Sequence, residues 1–185
     1  MKTVLKVLVM LLMISLTSCG TTNNNMESKK EKIESVKSQE SKGTWKKDFY
    51  VDEFGDKTAD AMIYNTSIEG TFSNSATTHS KCTFGISIDE EYVTLVMFEY
   101  GNLQVKGEDK YNCKLRANNG EEKNFVGKMS QGRVIFDSLG ATSIIDFLKK
   151  NQKFKLYLEE ETKYGTPSTY LCEIEADNFN DVYWK

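Results

Sequence analysis

Four cysteines, one histidine and two polar clusters are the residues in this 185-residue chain whose types could do chemistry. Cys82, Cys113 and Cys172 each sit in an alternating apolar stretch, so each points the same way as its hydrophobic neighbours. A nucleophilic thiol needs a base within hydrogen-bond reach. His79 is three residues before Cys82. An odd separation on one strand puts the two on opposite faces, which argues against a dyad with Cys82 and leaves Cys113 and Cys172 open as partners in space, beside the plainer reading of His79 as a solvent-exposed loop residue. Cys-x-x-Cys spacing is absent and one histidine cannot build a His-based zinc site, so no metal is expected. The three cysteines allow at most one internal bridge, and the sequence does not choose the pair among Cys82, Cys113 and Cys172.

Asp52, Glu53 and Asp56, with Asp60 nearby, crowd the stretch Val51-Asp52-Glu53-Phe54-Gly55-Asp56. Carboxylates beside a glycine turn suit a hard cation or a polar ligand, although the spacing is not that of an EF-hand loop. Ser73, Asn74 and Ser75 lie in a run of small hydroxyl residues, Gly70 to Thr78, which reads as a turn-rich loop offering hydroxyls to a ligand. These six residues are the weak candidates for ligand loops. No pair of acids is fixed at a separation that glycoside hydrolysis would need. Neither a Gly-x-Ser-x-Gly elbow nor a phosphate-cradling glycine loop occurs. No cofactor is expected, and the reading is of a binding module rather than an enzyme.

These residues are positioned by a chain of strand character. Cys82, Phe84, Ile86 and Ile88 alternate with polar residues, as do Tyr111 to Ala117, Phe154 to Leu158 and Tyr170 to Ala176. Tyr92 to Tyr100 is apolar on both faces, which predicts a central strand covered on both sides. Val134 to Phe136 is a shorter strand. Asn118-Asn119-Gly120 and Gly165-Thr166-Pro167-Ser168 are turns. Ser143-Ile144-Ile145-Asp146 has the form of a capping box and predicts one short helix near residues 143–151. Eight to ten short strands separated by turns predict a mainly β domain: an antiparallel β-sandwich or barrel over residues 44–185. Tyr157 falls on an outward face, and Trp184 lies beside Tyr183 at the end; both read as edge-covering aromatics in preference to stacking on a sugar or anchoring a partner.

The N-terminal segment reads as an address. Lys2 and Lys6 are the only charges among the first 26 residues, and Val7 to Leu16 is apolar apart from Ser15. Ten residues are too few to span a bilayer, which takes about 20, but they fit an export signal. Leu16-Thr17-Ser18-Cys19 resembles the lipobox of bacterial lipoproteins. The resemblance implies cleavage before Cys19, acyl chains on that cysteine and attachment to a membrane in the cell envelope, with 1–18 as signal peptide. Loss of Lys2 and Lys6 leaves 22 cations against 27 anions, a charge of −5. An aspartate after the cysteine resembles an inner-membrane retention signal; Gly20 stands there, so the outer membrane is implied where the cell has one.

Residues 19–43 follow as a polar tether of roughly 27 Å root-mean-square span. Trp45, Val51-Asp52-Glu53-Phe54-Gly55 and Phe72-Ser73-Asn74-Ser75-Ala76-Thr77-Thr78 together resemble an uncharacterised family of bacterial envelope proteins, over Trp45 to Ile88. That resemblance implies an envelope protein and transfers no catalytic role. With a net charge of −3 there is no basic footprint for nucleic acid. Expected partners are the membrane, through the lipid, and an envelope protein or glycan. The alternative to a binding module is a structural or assembly lipoprotein of an envelope complex, with a carboxylate-based hydrolase ranked after both.

Overall fold

The structure, a computed structural model, describes residues 43–89 and 92–183. Cys19, the signal segment, nearly all of the tether and Trp184 lie outside the described residues. Ten strands and two helices run in the order β1 (Lys46–Val51), β2 (Lys57–Asn74), β3 (Thr77–Ile88), β4 (Val93–Glu99), β5 (Leu103–Gln104), β6 (Lys110–Ala117), β7 (Glu122–Ser130), β8 (Arg133–Phe136), α1 (Ser138–Lys150), β9 (Lys153–Glu160), β10 (Thr169–Glu175) and α2 (Phe179–Tyr183). Eight of the strands close on themselves in the order β2-β10-β9-β6-β7-β8-β4-β3, with β3 pairing back onto β2. Every neighbouring pair is antiparallel. Of the two architectures the alternation allows, the barrel is the one formed.

Closure explains the pattern of the sequence. Each strand has one face inside, so alternation sorts residues into a packed interior and a solvated exterior. Phe84, Ile86, Leu95, Met97, Leu115, Met129, Val134, Leu156, Leu158 and Ile174 are all buried in that interior. An eight-stranded barrel is just wide enough for side chains to fill it, and here they do. Lys114, Arg116, Lys155 and Glu173 occupy the outside of the middle strands. An apolar inside and a charged outside are the reverse of what a membrane-spanning barrel presents.

One end of the barrel is stoppered by helices. Asp137 caps α1, its Oδ1 accepting from the Gly140 N–H at 2.7 Å. Ile144, Phe147 and Leu148 are buried, and Phe147 meets the Phe154 ring edge-on at 5.5 Å. At Gly140 a Cβ would come within 2.5 Å of the Phe125 ring, so only glycine lets α1 lie this close. At the same end Trp45 is buried. Its backbone N–H donates to Asn178 Oδ1 at 3.0 Å, Asn178 Nδ2 returns a bond to the Trp45 carbonyl at 2.9 Å, and Phe179 stacks edge-on at 5.1 Å. The start of the domain is thereby fastened to its C-terminal helix.

Three expectations need correction. The helix is Ser138–Lys150, not 143–151: its cap is Asp137, and Ser143 is a buried mid-helix residue. Gly140 concealed the first turn. β4 is not covered on both sides; Val93, Leu95 and Met97 are buried but Val96 and Phe98 face outward and are only half-buried. A barrel has no second layer to cover them. Finally, Gly70 to Thr78 is not a loop. Gly70–Asn74 ends β2, Thr77 begins β3, and only Ser75-Ala76 form the turn between them.

Candidate functional site

The hydroxyl-rich turn is occupied with its own geometry. Asn74 Oδ1 accepts from the N–H groups of Ala76 at 2.9 Å and Thr77 at 3.1 Å. Ser73 Oγ accepts from the His79 N–H at 3.0 Å, and the Thr77 and Ser80 hydroxyls bond to each other. Ser75 is exposed. His79 is also exposed, with φ of 53°, where the β2–β3 register slips. Cys82 is buried, so the histidine and the thiol do lie on opposite sides of the strand.

The acidic loop joins β1 to β2. Asp52 Oδ1 accepts from Phe54 N at 2.9 Å and Asp56 N at 3.0 Å, and Gly55 supplies the positive φ of 87° that the turn requires. The Asp52 carboxylate therefore shapes the turn; Glu53 and Asp56 are exposed beside it. Among the described residues, no group of three or more His, Cys, Asp or Glu side chains is placed to hold a metal ion.

Among the described residues, Cys82, Cys113 and Cys172 are free thiols, buried in the barrel. Cys172 and Cys82 flank Gly70 in register, one on each side. Two strand spacings put their backbones about 9–10 Å apart, beyond the roughly 4.4–6.8 Å of a disulfide. Cys113 is further round the barrel, between Phe125 and Leu158. Burial pushes the Cys82 thiol up to about 12, with the Glu99 charge adding to it, and pushes Cys113 up to about 12. Burial raises Cys172 as well. Thiols held protonated inside a closed barrel are poor nucleophiles.

At the barrel end opposite the helices lies a polar group that the sequence did not announce. Tyr170 on β10 reaches across the interior to β4, where its hydroxyl donates to Glu99 Oε1 at 2.6 Å. Tyr111 meets the Tyr170 ring edge-on at 6.1 Å, and Phe72 stacks on it at 6.3 Å. Burial raises the phenol of Tyr170, and its bond to Glu99 raises it further. This is a strut closing the mouth: a carboxylate carried on an otherwise apolar face, satisfied by the Tyr170 phenol.

Open space lies on the outside. A groove of about 550 Å³ follows β6, β7 and β9, lined by Asn112, Asn124, Val126, Leu139, Tyr157 and Glu159 among others. A second, of about 320 Å³, continues over β6, β9 and β10 and is lined by Lys114, Arg116, Lys155, Tyr157 and Leu171. Tyr157 and Lys114 line both. Both volumes fall within the roughly 300–1,000 Å³ of small-molecule clefts. The sheet register explains the meeting point: Asn124, Lys114, Tyr157 and Leu171 are successive neighbours across four strands. Tyr157 is half-buried and its hydroxyl donates to Glu159 Oε2 at 2.9 Å, which fixes the ring on the sheet. Burial, and then that bond, push its phenol up to about 12. A third groove, of about 360 Å³, lies over β2 and β3 around Glu69, Thr71, Lys81 and Thr83.

No family model matches the chain, and neither the curated proteins nor the solved structures contain a match.

Proposed function

We propose that the chain is a lipid-anchored, non-enzymatic recognition module of the bacterial cell envelope that binds saccharide on the outer face around Tyr157. The observation that carries this reading is the pair of adjoining grooves meeting at one oriented aromatic ring. An aromatic face offers apolar contact to a sugar ring, and the flanking amides and charged groups are hydrogen-bond partners for hydroxyls. Protonated, enclosed thiols and an acidic loop engaged in its own turn support binding over catalysis. The anchor rests on Leu16-Thr17-Ser18-Cys19. Two variants test the two halves. Cys19→Ala leaves the membrane fraction while remaining exported; a variant that stays membrane-bound overturns the anchor. Tyr157→Ala loses retention on immobilised envelope glycan with its thermal unfolding unchanged; undiminished retention overturns the site.

One observation favours a second reading, an assembly role. Residues 57–62 of β2 pair only with β1, so this ribbon extends past the barrel. It exposes Phe49, Tyr50, Val51 and, at its tip, Phe54, which is 83% exposed. A ribbon with exposed apolar side chains and a free strand edge is a surface a protein partner can pair with. Phe54→Ser disrupts a complex formed this way and leaves saccharide binding untouched.

A further inference from the structure

The saccharide reading leaves open what kind of sugar the face selects, and the charges around Tyr157 bear on that. The β6–β9–β10 groove carries three cations, Lys114, Arg116 and Lys155, around Tyr157 and Leu171, with no acid in its lining. The acids closest in register are already engaged. Glu173, which pairs with Lys155 across the sheet, is bonded to Lys153 Nζ at 2.7 Å, and Lys153 also holds Glu175 at 3.1 Å. Glu122 is held by Arg116. Glu159 accepts from Tyr157. Among the described residues, Lys114 and Lys155 have no ion-pair partner.

That arrangement is selective in a chain whose overall charge is negative. Arg116 is paired with Glu122 while Lys114 and Lys155 are not, and unpaired like charges on neighbouring strands are unfavourable. Lys114 and Lys155 lie one row apart on adjacent strands: Lys114 faces Tyr157, and Lys155 faces Arg116. An anion placed between them relieves that repulsion and gains charge-assisted hydrogen bonds. On the other side of Tyr157 the lining changes to Asn112, Asn124, Val126, Asp137, Leu139 and Glu159, with Lys114 shared by the two grooves. Neutral amides and two carboxylates suit hydroxyl or acetamido groups and disfavour a second anion close by. The face is thus graded along one direction, from cationic, over an aromatic ring, to amide.

We infer that the ligand is an acidic saccharide, with a sugar ring on Tyr157, its carboxylate between Lys114 and Lys155 beside Arg116, and its uncharged portion along Asn112 and Asn124. The inference rests on the Tyr157 reading above and adds the charge of the ligand and its direction.

The test is calorimetric titration of the full chain in detergent micelles with three probes: trigalacturonic acid, its methyl ester, and hexaglutamate peptide. The ester keeps the rings and removes the charge. The expected result is that trigalacturonic acid binds at least about tenfold more tightly than the ester. Its affinity should weaken as salt rises, and fall roughly tenfold in the Lys114→Gln/Lys155→Gln variant. Tyr157→Ala should lower the affinity for acid and ester together. Equal binding of acid and ester, both lost in Tyr157→Ala, overturns the acidic selectivity and leaves the saccharide face standing. Tighter binding of hexaglutamate than of any sugar overturns the saccharide assignment. Binding that neither the lysine pair nor Tyr157 affects overturns both.

Discussion

Raising the pH from 8 to 10 should destabilise this domain sharply, because three thiols are locked in their protonated form inside the barrel. The ordinary thiol value is 9.0, and burial lifts Cys82 and Cys113 to about 12 and Cys172 in the same direction. A folded-state pKa above the unfolded value stabilises fully below pH 9. That contribution is lost as pH rises, because the unfolded chain releases protons that the native state retains. By pH 10 each such thiol costs the native state about 1.4 kcal/mol. Cys113 and Cys172 count in full; Cys82, beside the half-buried Glu99 near the mouth, counts for less. The total is about 3–4 kcal/mol, a large part of the roughly 5–15 kcal/mol that holds a domain together. Urea unfolding at pH 8, 9 and 10, without reductant, measures it. The midpoint should fall by about 2 M between pH 8 and 10 with the slope unchanged, and Cys113→Ala should remove about a third of the fall. An unchanged midpoint would refute the reasoning.

Three further perturbations probe the parts that position the face. Tyr170→Phe removes the phenol that satisfies Glu99 and should cost about 1.5–2 kcal/mol, the lower part of the range for a bond to a charged group because Glu99 keeps some access to water; urea unfolding at pH 7 reads it. Gly140→Ala gains up to about 1 kcal/mol of helix propensity but drives a Cβ into Phe125, so a net loss of about 1–2 kcal/mol is expected, and a stabilised variant would contradict the packing of α1. Asn178→Ala breaks the reciprocal bonds to Trp45 and should cost about 2–3 kcal/mol, visible as a lower midpoint and as faster proteolysis near residue 45.

Strands with a true inside and outside were legible. Thr77–Ile88, Lys110–Ala117, Lys153–Glu160 and Thr169–Glu175 are all found where alternation places them, within a few residues at their ends. β2 was not legible, for two physical reasons. Its first residues, 57–62, lie in the protruding ribbon and have no interior to face. Its pairing then slips between Asn65 and Ile68, which breaks the period of two. β7 was hidden by Gly127, an inward position left empty so that Val134 and Phe136 can fill the space. Closure into a barrel depends on register between distant strands, which a single strand's pattern does not carry.

The candidate site was less legible than the fold. The sequence drew attention to residues with reactive names: the cysteines, Asp52, and the Ser73-Asn74-Ser75 run. In the structure Cys82, Cys113 and Cys172 are core residues, Asp52 shapes a turn, and the Ser73-Asn74-Ser75 run ends β2 and enters the turn after it. The Tyr157 face is assembled from Lys114, Tyr157 and Leu171, which come from three strands and are joined only by register. Tyr157 was seen to point outward; what surrounds it could not be read without the sheet. The Glu99–Tyr170 strut spans 71 residues of sequence and left no local signal.

The central claim is that the outer face around Tyr157 is where this protein meets its ligand. Amide chemical-shift mapping of the isotopically labelled full chain in micelles, titrated with trigalacturonic acid, tests it most directly. The account predicts shifts concentrated at Lys114, Asn124, Lys155, Tyr157 and Leu171, with the β1–β2 ribbon unaffected. Shifts confined to Phe49–Phe54, or none at saturating sugar, would contradict it.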